Sequence, residues 1–318
     1  MMRCVALAEV LDQLGFCTTF VGTTSQIDWL EKKIDSIPKA NRVSAEKEFL
    51  IRKGKDILLL DSYDVDSYSE FIRDNSWLAK VAIVDNSTPS YLADIYIHPG
   101  PNFGWRLPLE ASEARVLQGT NYIPIRKAFS ELDYVRPSSL GKMQLTIVAG
   151  GTDPTNFIRE FIPVLTELQE DFEAHIFTSD DILPELDSRF IKHSPQTNLE
   201  TIIVHSNIVI TTGGTTLWEI ASLGIPMGIA EAVENQKPNY LFFTENKLAI
   251  GIGSYSKNLK RWEFDSEKVK ELLSAGEFHS QMIQNQLALE IGKGSVNITS
   301  ELIEELVCIF RKKNHESE

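Results

Sequence analysis

The chain has 318 residues, and its 31 Lys and Arg against 45 Asp and Glu give a formal net charge of −14. At roughly 100–200 residues per domain, this length suggests two domains. No stretch approaches the roughly 18 apolar residues of a membrane-spanning helix, so we do not expect integral membrane association. The acidic surplus has the wrong sign for nucleic acid or an anionic lipid surface, which excludes polyanions as partners but leaves phosphorylated ligands open.

Short apolar runs alternate with amphipathic stretches, a pattern typical of an α/β fold. The first element is a helix, because apolar residues recur at positions 2, 5, 7, 10, 11 and 14 and Gly15 follows in the position of a C-cap. Consecutive Ile, Val and Leu in the runs that follow are typical of strands covered on both faces by helices. The strands predicted in the first half are Thr18–Gly22, Asp56–Asp61, Val81–Asp85 and Asp94–His98.

The second half repeats the alternation. Its predicted strands are Gln144–Ala149, Ala174–Thr178, Ile208–Thr211, Pro226–Ala230 and Leu248–Ile252, and a last helix covers Asn297–Lys312. The stretch Ser130–Lys142 combines Pro, Ser and Gly with little periodicity and predicts a linker. We therefore expect an N-terminal domain over 1–136, a C-terminal domain over 142–300, and a helix with a charged tail over 301–318.

The helix at the start is unusual for this architecture. A doubly wound domain normally begins with a strand whose following loop binds a ligand. Two interpretations are open: the fold begins with a helix, or a strand and its glycine loop are absent from this chain.

The motif with the clearest chemistry is a glycine turn in Ile208–Pro226. A strand runs into Gly213 and Gly214, and a helix opens at Thr215 or Thr216. Close backbone approach, free N–H groups and the positive end of the helix dipole favour a phosphate there. Glu219 lies one helical turn deeper on the same face, where its carboxylate suits a pair of ribose hydroxyls. The alternative is a tight turn with Thr as the N-cap and Glu219 in solvent.

Two further loops follow strands of the second half. The first contains Gly150, Gly151 and Asp153, at the position where open parallel sheets bind ligands, although Asp153-Pro154 equally suits a helix N-cap with proline in the first turn. The other contains Glu234, Asn235 and Gln236, whose amides and carboxylate suit sugar hydroxyls or acetamido groups. Its alternative is a helix start with Asn235 as the cap.

The first half offers acids and a histidine at strand ends. Asp61 and Asp85 each follow a predicted strand, and such acids either sit in the interdomain cleft of an α/β protein or serve as turn residues. His98 is a candidate base, whereas lone histidines are more often structural. The three cysteines, Cys4, Cys17 and Cys308, stand at no metal-ligand spacing, so we expect a reducing cytoplasmic location, no metal and no cofactor.

Taken together, these motifs resemble the GT-B nucleotide-sugar family that contains the UDP-2,4-diacetamido-2,4,6-trideoxy-β-L-altropyranose hydrolases of pseudaminic acid synthesis and spore coat polysaccharide biosynthesis proteins. The group is similar to the peptidoglycan N-acetylglucosaminyl transferase, which shares the glycine turn and its glutamate. The resemblance spans nearly the whole chain and rests on Met2-Arg3-Cys4, Asp61-Ser62-Tyr63, Gly150-Gly151-Thr152-Asp153-Pro154, Gly213–Glu219 and Glu234-Asn235-Gln236.

This resemblance implies two Rossmann-like doubly wound domains facing a cleft that holds a UDP-sugar. Gly213, Gly214, Thr215 and Thr216 would hold the diphosphate and Glu219 the ribose. The loops with Gly150, Gly151 and Asp153 and with Glu234, Asn235 and Gln236 would complete the substrate site, and Tyr63 would lie near the reacting sugar. Water would then release UDP and a free diacetamido sugar without a metal, in a monomeric enzyme.

One departure from the family bears on activity. The hydrolases carry a Gly-x-Gly-His loop before Met-Arg-Cys, and its histidine is their expected general base. In this sequence Met1 stands where that loop would end, which favours an internally assigned start codon over a true truncation. The alternatives to the hydrolase are a GT-B glycosyltransferase for a spore coat or cell-surface glycan and a catalytically impaired nucleotide-sugar binding protein.

Overall fold

The computed structural model describes residues 2–22, 27–62, 69–85, 91–102, 104–135, 137, 141–150, 153–179, 183, 186–194, 198–274 and 276–315. The chain forms two compact units. The first comprises Met1–Lys127 with Lys293–Glu318, and the second comprises Ala128–Gly292. The composition of the sequence predicts a boundary near 135–142 and one domain over 142–300, whereas in the structure the chain returns to the first unit at Lys293.

The first unit contains two separate parallel sheets. One pairs two strands, β1 and β2, and the other has four strands in the order β3-β4-β5-β6. Its elements up to the second unit are α1 (Met2–Gln13), β1 (Thr18–Val21), α2 (Asp28–Asp35), β2 (Ala40–Val43), β3 (Ile57–Leu60), α3 (Ser69–Arg73), β4 (Ala79–Ile83), β5 (Ile95–Pro99) and β6 (Arg115–Gly119). The short helix α4 (Lys127–Ser130) spans the boundary between the two units.

Helix α1 packs against the cores of both sheets. Its Val5 and Ala8 contact the apolar face of α2 next to the two-stranded sheet. Leu7 packs instead with Val81 and Ile95 of the four-stranded sheet. As predicted, Gly15 follows the helix, with a φ of +92° that a glycine adopts without strain. One amphipathic helix therefore stabilises two sheets.

The second unit is a single seven-stranded sheet in the order β13-β12-β11-β10-β7-β8-β9, parallel except for the antiparallel pair β12 and β13. Its elements are β7 (Met143–Val148), α5 (Phe157–Thr166), β8 (Phe172–Phe177), β9 (Phe190–His193), α6 (Leu199–Ile203), β10 (Ile208–Thr212), α7 (Thr215–Ser222), β11 (Met227–Glu231), α8 (Lys237–Glu245), β12 (Ile250–Ser256), β13 (Arg261–Phe264), α9 (Ser266–Leu273) and α10 (Glu277–Leu287).

The last helix, α11 (Gly294–His315), belongs to the first unit. Ile298 and Leu302 are buried in the core of the four-stranded sheet together with Leu7. Ser295 Oγ donates to the carbonyl oxygen of Ile125 at 2.7 Å. This long-range packing explains why a boundary predicted from local composition misses the return of the chain. Among the described residues, no helix is long and apolar enough to cross a membrane.

Each of the nine predicted strands overlaps a strand of the structure, and four strands were missed. The missed strands, β2, β6, β9 and β13, each lie at an edge of a sheet. Their residues alternate between buried and exposed positions or are largely exposed, so they tolerate polar side chains. Apolar runs therefore predict interior strands well and these four edge strands poorly.

Candidate functional site

The order of strands in the second unit creates a topological switch point. Strand β7 pairs with both β8 and β10, and the chain continues through β8 and β9 on one side and through β11 and β12 on the other. Thr211 near the end of β10 is in register with Val148 of β7 and with Ile229 of β11. Open parallel sheets bind ligands outside the carboxyl ends of strands at such a point. The three loops singled out from the sequence follow these three adjacent strands.

The glycine turn connects β10 to the start of α7. Gly214 occupies the N-cap position, and Thr215 and Thr216 are the first two residues of the helix. Within the described part of the chain, no side chain caps this helix, and its first turn carries no acidic residue. The interpretation of a Thr as N-cap is therefore wrong. The backbone N–H groups and the positive end of the helix dipole at this position suit an anion.

The loop after β11 packs directly onto the glycine turn. A Cβ atom on Gly213 would lie 3.0 Å from both the Cβ and the carbonyl oxygen of Gln236, a tight contact that disfavours a side chain at this position. Asn239 Nδ2 donates to the carbonyl oxygen of Gly213 at 2.9 Å, a contact that sequence analysis missed. Gly214 lies in a more open position, because its nearest neighbour, Gln236 Nε2, would be 3.8 Å from an added Cβ. The glycine turn and the Glu234–Gln236 turn thus form one continuous surface.

Residues of the Glu234–Gln236 turn differ in exposure. Glu234 and Asn235 are exposed, whereas Gln236 is half-buried and its Oε1 accepts from the Ala232 N–H at 3.4 Å. The N-cap position of α8 is held by Gln236, without a side-chain hydrogen bond. The alternative interpretation of Asn235 as the helix cap is therefore wrong, and the residue is exposed.

Glu219 is 2% exposed, which contradicts the alternative of a solvated side chain. It follows Trp218, whose ring packs against Phe243 of α8 with centroids 4.6 Å apart. A carboxylate is costly to bury unless it is hydrogen-bonded or paired, so the burial of Glu219 excludes the solvated alternative and by itself does not assign a ligand to it. Its assignment to a ribose remains a prediction.

Asp153 caps α5. Its Oδ1 accepts from the Phe157 N–H at 2.7 Å and its Oδ2 from the Ile158 N–H at 3.0 Å. Pro154 lies in the turn ahead of the helix, so its predicted place in the first helical turn is wrong. Gly150 has a φ of +84°, and Gly151 lies outside the described residues. The loop after β7 is thus held to α5 by a carboxylate beside the switch point.

The first unit has a polar cluster centred on Arg3, at the start of α1. The guanidinium donates to both carboxylate oxygens of Asp61, one of them from Nε at 3.2 Å, and to Asp85 Oδ1 at 2.6 Å. Asp61 directly follows β3, and Asp85 follows β4. The sequence brings these acids to neighbouring strand ends, and only the structure shows that Arg3 joins them.

Charge and burial perturb this cluster. Burial opposes ionisation of Asp61, but the charge and hydrogen bonds of Arg3 outweigh it and lower the pKa of Asp61. Burial, followed by the Asp61 carboxylate, raises the pKa of Cys4 to about 12. At neutral pH the ionised carboxylate of Asp61 therefore lies beside the protonated thiol of Cys4.

The predicted catalytic candidates of the first half have different outcomes. His98 is fully buried and stacks on Trp105 with ring centroids 5.2 Å apart, and burial lowers its pKa. This arrangement fits a core histidine better than a base that meets a substrate. Tyr63 lies outside the described residues. Among the described residues, no group of three or more His, Cys, Asp or Glu is arranged to hold a metal ion.

Comparison with solved structures identifies the architecture. Phytolacca americana UGT2, solved with UDP-2-fluoro-glucose and pterostilbene, aligns with a TM-score of 0.63 at 12% identity, covering 96% of both chains. The kitacinnamycin glycotransferase aligns with a TM-score of 0.62 at 14% identity, covering 95% of this chain and 94% of that one. Acinetobacter baumannii MurG aligns with a TM-score of 0.58 at 11% identity, covering 96% of this chain and 95% of that one. The chain has the GT-B fold.

GT-B proteins consist of two Rossmann-like domains, so the predicted fold class is confirmed. No family model matches the sequence. A curated protein of Methanocaldococcus jannaschii, MJ1062, described as uncharacterized, is 23% identical over 261 residues, which cover 75% of this chain and 54% of that protein. The chain thus spans about half the length of this relative. The resemblance to the pseudaminic acid hydrolases is not confirmed by these comparisons and stays a prediction.

Proposed function

We propose that this chain is a glycosyltransferase of GT-B type that takes its sugar from a nucleoside diphosphate sugar, most simply a UDP-sugar. The observation that carries the proposal is the uncapped start of α7 behind Gly213 and Gly214, located at the switch point of the parallel sheet. In that position the donor diphosphate would accept hydrogen bonds from backbone N–H groups. This mode of binding suits a chain of net charge −14, since it needs no basic patch.

The residues around the turn would divide the donor between them. Thr215 and Thr216 offer hydroxyl groups in the first turn of α7, next to the diphosphate. Glu219 would accept from the two ribose hydroxyls, a neutral ligand that does not repel its carboxylate. The exposed amide of Asn235 and the half-buried amide of Gln236 would donate to and accept from the sugar.

Transfer is favoured over hydrolysis by the comparisons. The matched structures include the kitacinnamycin glycotransferase, which is named for sugar transfer. The hydrolase remains a second candidate because of the Arg3-Cys4 and Asp61-Ser62 motifs and the buried pairing of Arg3 with Asp61. Both activities release the nucleoside diphosphate, so the two are distinguished by dependence on an acceptor.

Calorimetric titration with UDP tests the nucleotide site. We expect saturable binding, weakened about 10- to 150-fold in Glu219→Gln, because a hydrogen bond to a charged group contributes roughly 1.5–3 kcal/mol. The matched control is Glu245→Gln, an exposed glutamate at the last residue of α8, which should leave the affinity unchanged. Absence of UDP binding by the unmodified chain would overturn the proposal.

Release of UDP from UDP-glucose and UDP-N-acetylglucosamine, with and without a panel of hydroxyl acceptors, tests the reaction type. Stimulation by an acceptor, with a glycosylated product in the mass spectrum, supports transfer. Release that is independent of any acceptor and yields free sugar supports hydrolysis and contradicts transfer.

A further inference from the structure

Trp262 of β13 is hydrogen-bonded to the loop that follows β7. Its indole Nε1 donates to the carbonyl oxygen of Thr155 at 2.9 Å. In the order of the sheet, β12, β11 and β10 lie between these two strands, and β10 leads into the glycine turn. One side chain of an edge strand thus holds the candidate loop that lies beyond the glycine turn in the strand order.

The indole ring of Trp262 has a fixed orientation. It is 8% exposed and lies parallel to the ring of Phe264 with centroids 5.3 Å apart. Phe157, the first residue of α5, packs against it edge to face at 5.1 Å, and Tyr255, its partner on β12, lies 5.5 Å away. Because three rings contact the indole, its side chain has little rotational freedom, and its N–H group is directed at the loop before any ligand binds.

The segment 153–156 that receives this bond has an unusual backbone conformation. Asp153 and Asn156 have φ of +37° and +53°, in the left-handed region that residues other than glycine rarely adopt. Asp153 is held by its two bonds to the start of α5, and its carbonyl oxygen accepts from the Asn156 N–H at 3.1 Å. Thr155 lies between these residues. The side chains of Asp153 and Trp262 therefore hold this turn in a costly conformation.

The other end of the loop starts beside the glycine turn. Thr212, the residue before Gly213, donates from its Oγ1 to the carbonyl oxygen of Ala149 at 3.3 Å. Ala149 directly follows β7 and precedes Gly150. The loop is thus tied to β10 at its beginning and to β13 at Thr155. A loop fixed at both points is ordered before a ligand binds, and this increases affinity because less conformational entropy is lost on binding.

We propose that Trp262 is a positioning residue for the diphosphate of the donor: through Thr155 it holds the loop after β7 in place beside the diphosphate that binds at the glycine turn. Trp262 itself does not touch the ligand. Removing its N–H would free the strained turn, so the loop would have to be ordered again each time a donor binds. The ribose, assigned to Glu219, would not be affected. This inference rests on the proposed function and adds to it a residue that no motif of the sequence singled out.

Trp262→Phe tests the proposal by titration with UDP and with uridine. Phenylalanine retains the aromatic packing and removes the indole N–H. We expect the affinity for UDP, measured by calorimetry, to fall about 3- to 10-fold, which corresponds to the loss of one ordinary hydrogen bond. The affinity for uridine, measured by displacement of bound UDP, should change less than about twofold, because uridine has no phosphate. A purely structural role would weaken both ligands to the same extent.

Two control variants separate the hydrogen bond from the packing. Trp77→Phe removes an equivalent bond in the first unit, where Trp77 Nε1 donates to the carbonyl oxygen of Phe71 at 2.9 Å. Phe161→Leu loosens the aromatic cluster around Trp262, since Phe161 contacts Phe264, but it keeps the indole N–H. Both variants should lower Tm and leave the affinity for UDP unchanged.

A measurement on the unmodified chain needs no substitution. In hydrogen exchange followed by NMR, saturating UDP should slow exchange of the Trp262 indole N–H at least about threefold, whereas uridine should leave it unchanged. Unchanged exchange with UDP would overturn the proposal even if Trp262→Phe fails to fold.

Three further results would overturn this inference while UDP still binds the unmodified chain. These are unchanged affinity for UDP in Trp262→Phe, an equal loss of affinity for UDP and uridine in that variant, and a similar loss for UDP in Phe161→Leu. Absence of UDP binding by the unmodified chain overturns the proposed function and this inference together, so the two failures are distinguishable.

Discussion

Substitution of the two glycines after β10 separates a structural role from a ligand role at adjacent positions. Gly214 has φ −81° and ψ −167°, which alanine adopts without strain, and an added Cβ would meet its nearest neighbour at 3.8 Å. Gly214→Ala should therefore destabilise the protein by at most about 1 kcal/mol, the usual difference at an N-cap position. For a unit of this size that is about 2–4 °C in Tm.

The effect on the ligand should be much larger. A phosphate oxygen that accepts from the first N–H groups of α7 lies about 2.9 Å from nitrogen, and a methyl group at the N-cap occupies the adjacent space. Loss of one such charge-assisted bond corresponds to roughly 1.5–3 kcal/mol, or about 10- to 150-fold in the Kd for UDP. Calorimetry measures the affinity and circular dichroism the Tm.

Gly276→Ala is a matched control, because Gly276 is also a helix N-cap, of α10, and an added Cβ there meets nothing within 4 Å. It should lose similar stability and keep its UDP affinity. Gly213→Ala should differ from Gly214→Ala in acting mainly on stability. It should destabilise the fold by about 1–3 kcal/mol, because its Cβ would lie 3.0 Å from the Gln236 backbone oxygen. Unchanged UDP affinity in Gly214→Ala would refute diphosphate binding at this turn.

Three further outcomes follow from the described contacts. Asp153→Ala should lower the free energy of unfolding by about 1–2 kcal/mol, because it removes two hydrogen bonds to the start of α5. The loss should exceed that of Asp265→Ala, which removes one such bond at the start of α9. Equal losses of stability in urea denaturation would contradict the capping role of Asp153. Iodoacetamide at pH 8 should modify the two exposed cysteines of the native chain and spare Cys4, whose pKa is raised to about 12, until denaturant is added, as counted by mass spectrometry. The pKa of Asp61 is lowered in the folded state, so its contribution to stability is complete above its unfolded pKa of about 3.9. That contribution is lost as the pH falls through the pKa of the folded state. The free energy of unfolding should therefore fall less steeply below about pH 5 in Asp61→Asn than in the unmodified chain.

Local sequence is sufficient to predict the interior of this fold. Runs such as Ile208–Thr212 carry apolar residues at consecutive positions because helices cover both faces of the strand, and this requirement is visible within five residues. The glycine turn is also visible locally, because Gly213 and Gly214 stand directly between the apolar run of a strand and the start of a helix. The class of fold and the three candidate loops could therefore be predicted.

Tertiary structure decided which of these features meet. The pairing of β7 with β10 joins segments about 60 positions apart, and it creates the switch point at which the three candidate loops follow adjacent strands. Burial of Glu219 and the return of α11 to the first unit likewise depend on contacts with distant residues. Hydrophobic periodicity is a property of neighbouring residues, whereas the adjacency of strands is fixed by the packing of the whole sheet. The sequence therefore indicated the individual loops of the candidate site, and only the folded chain determined how they are arranged.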